Sequence, residues 1–328
     1  MSKPKLLVLE LWRVGDLAMA SPFLRQATRR YEVTLVAQPM ACEFQRRFWP
    51  EVRVIPFEAP WTVFLGKYRL HKWPWAELGC LMRNLRRQEF DCSVSARWDP
   101  RDHFVLWLSG AQERIGFPRV GSGFFLSRRL SRPPPHVHRY DLWKRVGAEL
   151  GLELPSRQEM PMPALRSGGR IVVHTGAGAP VRVWPLERWR DLIIRLRERG
   201  AEITILSDPI QRDTWLAWGE RHVRTPSSIA ELIDILESAV LFIGHDSGPG
   251  HLAALMGVPT FTLFGPQLAE SFLPIHPRAQ WIDGRSCPHK PCFDYCRYPI
   301  PHCLRDVSVE EVLGRVKECL KDWGLPGS

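Results

Sequence analysis

The stretch from Val240 to Phe264 constrains this chain most, because it spells strand, turn, helix and strand within one short passage. Val240 to Ile243 is a short apolar run, and Thr260 to Phe264 is a second, rich in Thr and Phe as a buried strand should be. Between them Pro249 suits the first turn of a helix, where a missing N–H costs nothing. Leu252, Leu255 and Met256 recur at helical spacing, and Gly257 followed by Pro259 ends the helix. Ser247 and Gly248 stand where the N-cap belongs. In an open parallel sheet this turn falls at the carboxyl end of a strand, where such folds bind ligands. The free N–H groups and positive dipole end of the helix suit an anion, most naturally a diphosphate. His245, Asp246 and His251 crowd the same turn, and Gly248 and Gly250 let a ligand approach the backbone. The same residue types also start ordinary helices that bind nothing.

A chain of 328 residues is long for one core and suits two domains of about 150 residues each. Leu154-Pro155, Met160 to Pro163 and Ser167 to Gly169 form a passage rich in proline and glycine. It divides an N-terminal domain, residues 1–165, from a C-terminal domain, residues 166–328. The formal net charge of +10 is unevenly spread. Lys and Arg outnumber Asp and Glu 26 to 16 in residues 1–165 and equal them, 19 to 19, in the rest. The first half therefore attracts something anionic, a phosphorylated acceptor, an acidic membrane surface or nucleic acid, or it is simply an arginine-rich solvated surface. Nucleic acid is not the expected partner, because no RRM, helix-turn-helix or OB pattern accompanies the scattered arginines. The first apolar run, Leu6 to Leu11, contains Glu10 and is too short for a targeting core or a membrane span. A cytoplasmic location is the expectation, and with it thiols or metal ligands rather than disulfides for the eight cysteines.

In the first half, Leu6 to Leu11 reads as a strand, Trp12 to Asp16 as a turn, Ala18 to Arg30 as a helix and Val33 to Ala37 as a second strand. Gly15 and Asp16 thus occupy a second strand end of the kind that binds ligands. Asp16 is a candidate general base, since a carboxylate in a partly closed cleft can accept a proton from a hydroxyl; the alternative is a helix N-cap. Residues 56–76 interleave Trp61, Trp73 and Trp75 with cations, which suits a membrane interface, a sugar platform or a loop packed on its own rings. Glu77 to Gln88 reads as an amphipathic helix with an arginine-rich outer face, and Phe90 to Ala96 as a strand.

In the second half, Ile171 to His174 starts a new sheet and ends in a loop from Thr175 to Pro185. Gly176-x-Gly178 is not a dinucleotide fingerprint: the third glycine is missing, and Pro180 and Pro185 keep a helix from starting at once. After the strand Glu202 to Leu206, either Asp208 or Asp213 is placed to hold a ribose. Ser227 or Ser228 caps the helix that follows, and Ser308 to Trp323 is the last helix. Cys287, Cys292, Cys296 and Cys303 fall within 17 residues, near His289 and His302. They lack the paired knuckles of a zinc ribbon, so structural zinc, a disulfide and free thiols all stay open.

Several of these words resemble one family. His245-Asp-Ser-Gly-Pro-Gly-His-Leu-Ala-Ala-Leu255, Gly257-Val-Pro259 and Leu263-Phe-Gly-Pro266 look like the signature of glycosyltransferase family 9, the heptosyltransferases of bacterial lipopolysaccharide synthesis. Arg13-Val-Gly-Asp16 with Ser21-Pro22, Arg114-Ile-Gly-Phe117, and the segment from His138-Arg-Tyr to Leu152 resemble further family segments. Arg182-Val-Trp-Pro185 with Trp189 stands where the family has Lys-x-Trp-Pro, and an arginine still grips a diphosphate, in bidentate fashion. The resemblance implies an α/β protein of the GT-B kind, two facing Rossmann-like domains with parallel sheets. It implies inverting, metal-independent transfer of heptose from ADP-heptose to an anionic lipopolysaccharide core acceptor, with no cofactor beyond the donor. A family 9 enzyme with another nucleotide-sugar or acceptor is one alternative, and a non-enzymatic basic protein that binds nucleic acid is the other. By resemblance Asp16 is the catalytic base, with Arg13 and Gly15 on the acceptor side. Thr175, Gly176, Arg182, Asp246, Ser247, Gly248, Pro249 and His251 hold the donor, and Arg182 also stabilises the departing diphosphate. Peripheral association with the inner membrane follows from such an acceptor. Cysteine-rich segments like Cys287 to Cys303 occur in many members, with no catalytic role attached.

Overall fold

The computed structural model describes residues 2–62, 69–162 and 169–325. The chain divides between Leu154 and Pro155 into two compact units. The proposed boundary at 165/166, with its Ser167, lies outside the described residues.

The first unit is a single parallel sheet with helices between its strands. In chain order it comprises β1 (Lys5–Glu10), α1 (Val14–Arg30), β2 (Glu32–Ala37), α2 (Ala41–Phe48), β3 (Arg53–Pro56), α3 (Trp75–Arg87), β4 (Cys92–Ser95), α4 (Pro100–Leu108), β5 (Glu113–Gly116), β6 (Arg128–Arg129) and α5 (Arg139–Glu149). The strand order is β3-β2-β1-β4-β5-β6, and every neighbouring pair is parallel. Leu6, Leu7, Val8 and Leu9 of β1 are fully buried, as a central strand covered on both faces requires.

The second unit repeats the plan: β7 (Arg170–His174), α6 (Leu186–Arg197), β8 (Ile203–Leu206), α7 (Pro209–Ala217), β9 (Val223–Arg224), α8 (Ile229–Glu237), β10 (Ala239–His245), α9 (Gly248–Leu255), β11 (Thr260–Phe264), α10 (Ala269–Phe272), β12 (Ala279–Asp283) and α11 (Val309–Trp323). Its order is β12-β11-β10-β7-β8-β9, again parallel throughout. Trp184, Trp189 and Trp215 are fully buried in its core among Ile171, Leu192 and Leu241. Both units therefore have the doubly wound Rossmann order, in which the connections reverse direction at one point. That point lies between β1 and β4 in the first unit and between β7 and β10 in the second. Ligands bind such sheets outside the carboxyl ends of these strands.

Four local readings are decided by the structure. α1 starts at Val14 with Arg13 as its N-cap, so Asp16 sits inside the first turn and is not a cap. Ser228, not Ser227, caps α8, accepting the Glu231 N–H at 3.1 Å. Ser247, not Gly248, is the N-cap position of α9. In the tryptophan-rich loop, Trp61 is buried with its ring 6.3 Å from Phe57 and 5.5 Å from Trp73, so that part of the loop packs on itself. Residues 63–68 of that loop lie outside the described residues.

Candidate active site

In the first unit the carboxyl ends of β1 and β4 bring Glu10, Asp16 and Arg97 together. Asp16 accepts a hydrogen bond from Arg97 at 3.1 Å, across 81 positions of sequence. The Arg97 guanidinium also lies over the Trp12 ring, 4.0 Å from its centroid, a cation–π contact that fixes its plane. His103 holds the backbone beneath it: its Nε2 is 3.1 Å from the Arg97 carbonyl, so Nε2–H donates and Nδ1 accepts from the Ser122 hydroxyl at 2.8 Å. Burial lowers the His103 pKa, consistent with this neutral tautomer. Arg139 is largely buried, over the Trp98 ring at 5.1 Å, and its pKa is lowered to about 10 by burial and by Arg97. A cleft of about 780 Å³ opens beside these residues, walled by Trp12, Trp61, Trp73, Trp98, Arg97 and Arg139. Stacking rings and guanidinium groups in one concavity suit a sugar that carries negative charge. Arg13, placed on the acceptor side by resemblance, is exposed at the N-cap of α1, and Arg97 is the arginine that meets Asp16. Gly15 lies in the first turn of α1, half-buried beside Asp16.

Glu10 stands behind this cluster at 2% exposure. Burial, reinforced by the charge of Asp16 and opposed by Arg97, raises its pKa to about 8. The folded chain then holds a proton that the unfolded chain releases in the ordinary carboxylate range. Stability consequently declines as pH rises from that range to about 8. Glu10→Gln removes this titration. Relative to the wild type, the variant should gain stability, on the order of a few kcal/mol, between about pH 5 and about pH 9. Thermal melts of both proteins across that range check it, and parallel curves would contradict it.

In the second unit the carboxyl ends of β7 and β10 gather the donor-side candidates. His245 ends β10 and ties the two strand ends together: its Nε2 accepts the Trp184 N–H at 2.8 Å, and its Nδ1–H donates to the Gly176 carbonyl at 3.0 Å. It is buried and neutral, its pKa lowered by burial to about 4. This fixes the loop between Thr175 and Pro185 against the start of α9. Within that loop Arg182 forms a fork: Nη1 donates to the Asp246 carbonyl and carboxylate, both at 3.1 Å, while Nε and Nη2 clasp the Asp294 carboxylate, both at 2.7 Å. Asp246 is buried, and the Nε2 of buried His251 is 3.8 Å from it. Among the described residues, the buried His251 Nδ1 has no hydrogen-bond partner.

Ser247 leaves α9 without a side-chain cap, because its hydroxyl points to the His245 carbonyl at 3.3 Å and to His174 Nδ1 at 3.4 Å. Gly248 and Pro249 begin the first turn; Pro249 brings no N–H and the Gly250 N–H donates to the Ser247 carbonyl at 3.2 Å, so what this helix start offers an anion is chiefly the positive end of its dipole. Gly176 is required by its neighbour: a Cβ there would come within 2.2 Å of the Asp208 side chain. Asp208 accepts the Ala177 N–H at 3.2 Å, beside the loop, whereas Asp213 is exposed on α7. Of the two ribose candidates, only Asp208 is at the site. The Thr175 hydroxyl is engaged elsewhere, donating to Gln211 at 2.8 Å and accepting from Trp215 at 3.3 Å in the core.

The four cysteines are free thiols, Cys303 buried and Cys287, Cys292 and Cys296 half-buried, so the disulfide alternative is not what the structure holds. Among the described residues, no group of three or more His, Cys, Asp or Glu is arranged to hold a metal ion. Their segment nevertheless contributes to the site, because it carries Asp294.

Sequence reasoning missed Glu10, Arg97, Arg139 and Asp294. Glu10 was visible as the one charge in an apolar strand, and Arg97 as the first charge past the strand Phe90 to Ala96. Arg139 lay inside a quoted family segment. Nothing local marks Asp294, which stands in left-handed backbone (φ 72°) 112 residues from the arginine it clasps.

Two doubly wound units with polar, glycine-bearing turns at their switch points define a class of ligand-binding α/β proteins. Residues 79–299 match the pattern of Glycosyltransferase family 9 (heptosyltransferase). The chain belongs to this family. It is 34% identical over 114 residues to lipopolysaccharide heptosyltransferase 1 of Pseudomonas aeruginosa, covering 33% of this chain and 32% of that protein. It is 29% identical over 106 residues to lipopolysaccharide heptosyltransferase 3 of Escherichia coli, covering 29% and 30%. The chain thus spans about a third of the length of these curated relatives. Its fold is shared with a family 9 glycosyltransferase from Veillonella parvula, at a TM-score of 0.77, 17% identity and 98% coverage of both chains. It is shared as well with E. coli heptosyltransferase WaaC, solved with ADP, at a TM-score of 0.73, 18% identity and coverage of 96% and 99%.

Proposed function

We propose that this chain transfers heptose from ADP-heptose to an anionic lipopolysaccharide core acceptor, inverting the anomeric centre in one displacement. The N-terminal domain, residues 1–165, takes the acceptor, and the C-terminal domain, residues 166–328, takes the donor. Asp16 accepts the proton of the acceptor hydroxyl as that oxygen attacks the anomeric carbon. Arg182 and the uncapped start of α9, from Ser247 to His251, receive the negative charge of the departing diphosphate. This route draws its positive charge from the protein and calls on no metal ion. Asp246 orients Arg182, and Asp208 holds the ribose. The acceptor is lipid-anchored, so the enzyme works in the cytoplasm against a bilayer surface. The observation that carries this reading is the meeting of Arg182, Asp246 and the open helix start at the carboxyl ends of β7 and β10. Relatives solved with ADP and with an ADP-heptose analogue support the choice of nucleotide.

The test is a thermal-shift panel of ADP, UDP, GDP, CMP and dTDP. A ligand at a hundred times its dissociation constant adds about 2.7 kcal/mol, enough to be plain in a melt. ADP alone is expected to stabilise. Stabilisation by another nucleotide instead would replace the donor, and silence across the panel would remove the nucleotide-sugar reading. The clasp on Arg182 adds a sharper expectation. With two carboxylates on one guanidinium, an incoming diphosphate must displace Asp294, so Asp294→Asn should tighten ADP binding by about threefold to tenfold. Titration calorimetry measures it; weaker binding in the variant would mean that Asp294 positions Arg182 and stays in place.

A further inference from the structure

The first unit bears an aromatic patch that the chemistry above does not use. Phe104 and Trp107, one turn apart on α4, stack with centroids 5.8 Å apart. Phe125, from the 3-10 turn Ser122–Phe125, meets both rings at 5.4 and 5.8 Å, and Phe124 continues the cluster at 5.7 Å. These rings are not core: Phe104 is 42% exposed, Trp107 43% and Phe124 76%. A contiguous exposed aromatic patch of this kind marks an interaction surface.

Charge identifies the partner. Residues 100–132 hold six arginines against two acids. Asp102 is buried, and the pairs Glu113–Arg128 at 3.0 Å and Asp99–Arg101 at 2.7 Å cancel two of these arginines, so the outward charge of this face rests on Arg119, Arg129 and Arg132. Arg119 and Arg129 are exposed beside the turn that carries Phe124, the Arg119 N–H donating to the Ser122 hydroxyl and the Arg129 side chain lying against Gly123; Arg132 is exposed further along the chain, and Arg86 of α3 lies beside Gly110, just past the end of α4. Aromatic rings ringed by arginine are the composition that lies in a bilayer interface, where rings enter the headgroup region and guanidinium groups meet lipid phosphate. Among the described residues no helix is long and apolar enough to cross a membrane. Arg119 and Val120 also line the mouth of the tryptophan cleft, so the patch adjoins the opening through which an acceptor would enter.

We propose that the face formed by Phe104, Trp107 and Phe124 is a docking surface for an anionic lipid bilayer. It holds the first unit peripherally, with the acceptor cleft opening beside the headgroups. Only the use of this docking, not its chemistry, rests on the reading of the acceptor as a glycolipid.

The experiment is co-sedimentation of the full chain with vesicles of phosphatidylcholine and phosphatidylglycerol in equal parts, and with vesicles of phosphatidylcholine alone, neither containing acceptor. The wild type should sediment with the anionic vesicles and far less with the neutral ones. The triple variant Phe104→Ser, Trp107→Ser, Phe124→Ser should lose at least about tenfold in vesicle partitioning, with its melting temperature and its transfer to a soluble core oligosaccharide retained. Charge reversal at Arg129 and Arg132 to Glu, which touches no apolar residue, should weaken sedimentation in the same direction. A wild type that stays in solution with anionic vesicles, or a triple variant that sediments like the wild type, would overturn the proposal. So would a wild-type dimer in sedimentation velocity that the triple variant dissolves, since a second copy would then cover the patch. Because the vesicles carry no acceptor and the oligosaccharide no lipid, failure of docking and failure of the transferase reading appear in different assays.

Discussion

Asp16→Asn is expected to lower the turnover of sugar transfer by about 10²–10⁴-fold while leaving ADP affinity unchanged. The size follows from the role. A positioned general base contributes on that scale, and the amide keeps the shape of the carboxylate without its ability to take a proton. ADP binding is the proper control, because the donor-side residues all belong to the other unit. The fold is not at stake: Asp16 is partly exposed, makes no N-cap, and accepts from Arg97 through an oxygen that Asn also possesses. Arg97 keeps its seat over the Trp12 ring in either case. Glu10→Gln, one layer behind, should leave far more activity than Asp16→Asn. Near wild-type turnover in the Asn variant would end the assignment of Asp16 as the base, whatever the donor proves to be.

The second large effect is expected at Arg182. Arg182→Ala should reduce kcat by about 10²–10³-fold, the scale seen when one preorganised donor to developing negative charge is removed. It should weaken ADP binding as well, because that charge also meets the diphosphate before reaction. The same change strands Asp246 and Asp294, two carboxylates at 7% and 11% side-chain exposure, without their cation. Removing one partner of a buried pair costs about 3–5 kcal/mol, so a lower melting temperature should accompany the kinetic loss. Arg182→Lys separates the two effects. It retains a cation but loses the fork, and should keep most of the stability and more of the activity than Ala. Equal kinetic loss in Lys and Ala variants would mean that the fork geometry matters more than the charge; unchanged kinetics in both would remove Arg182 from the site.

How much of this is legible in the sequence depends on the range of the physics involved. Apolar runs such as Leu6 to Leu11 and Val240 to Ile243 spell buried parallel strands locally, and the glycine- and proline-marked turn after Ile243 announces the start of α9. The doubly wound order then carries Asp16 and the His245 to His251 turn to strand ends without further information. What the local words could not contain were pairings at long separation. Arg97 reaches Asp16 across 81 residues, and Asp294 reaches Arg182 across 112. Nor could they say which way a side chain turns. Thr175 looked like a donor ligand, yet its hydroxyl is bonded to Gln211 in the core. The cap alternative for Asp16 depended on where α1 begins, which is two residues before it, at Val14.

The most direct measurement is sugar transfer itself, followed by mass spectrometry of a purified lipopolysaccharide core acceptor lacking heptose. It is incubated with the wild-type chain and ADP-heptose, beside parallel reactions with UDP- and GDP-sugars. Only ADP-heptose should yield product, one heptose heavier than the acceptor, and Asp16→Asn should yield none on the same timescale. Product from a different nucleotide-sugar with none from ADP-heptose would contradict the donor assignment. Product from the Asp16→Asn variant at the wild-type rate would contradict the mechanism.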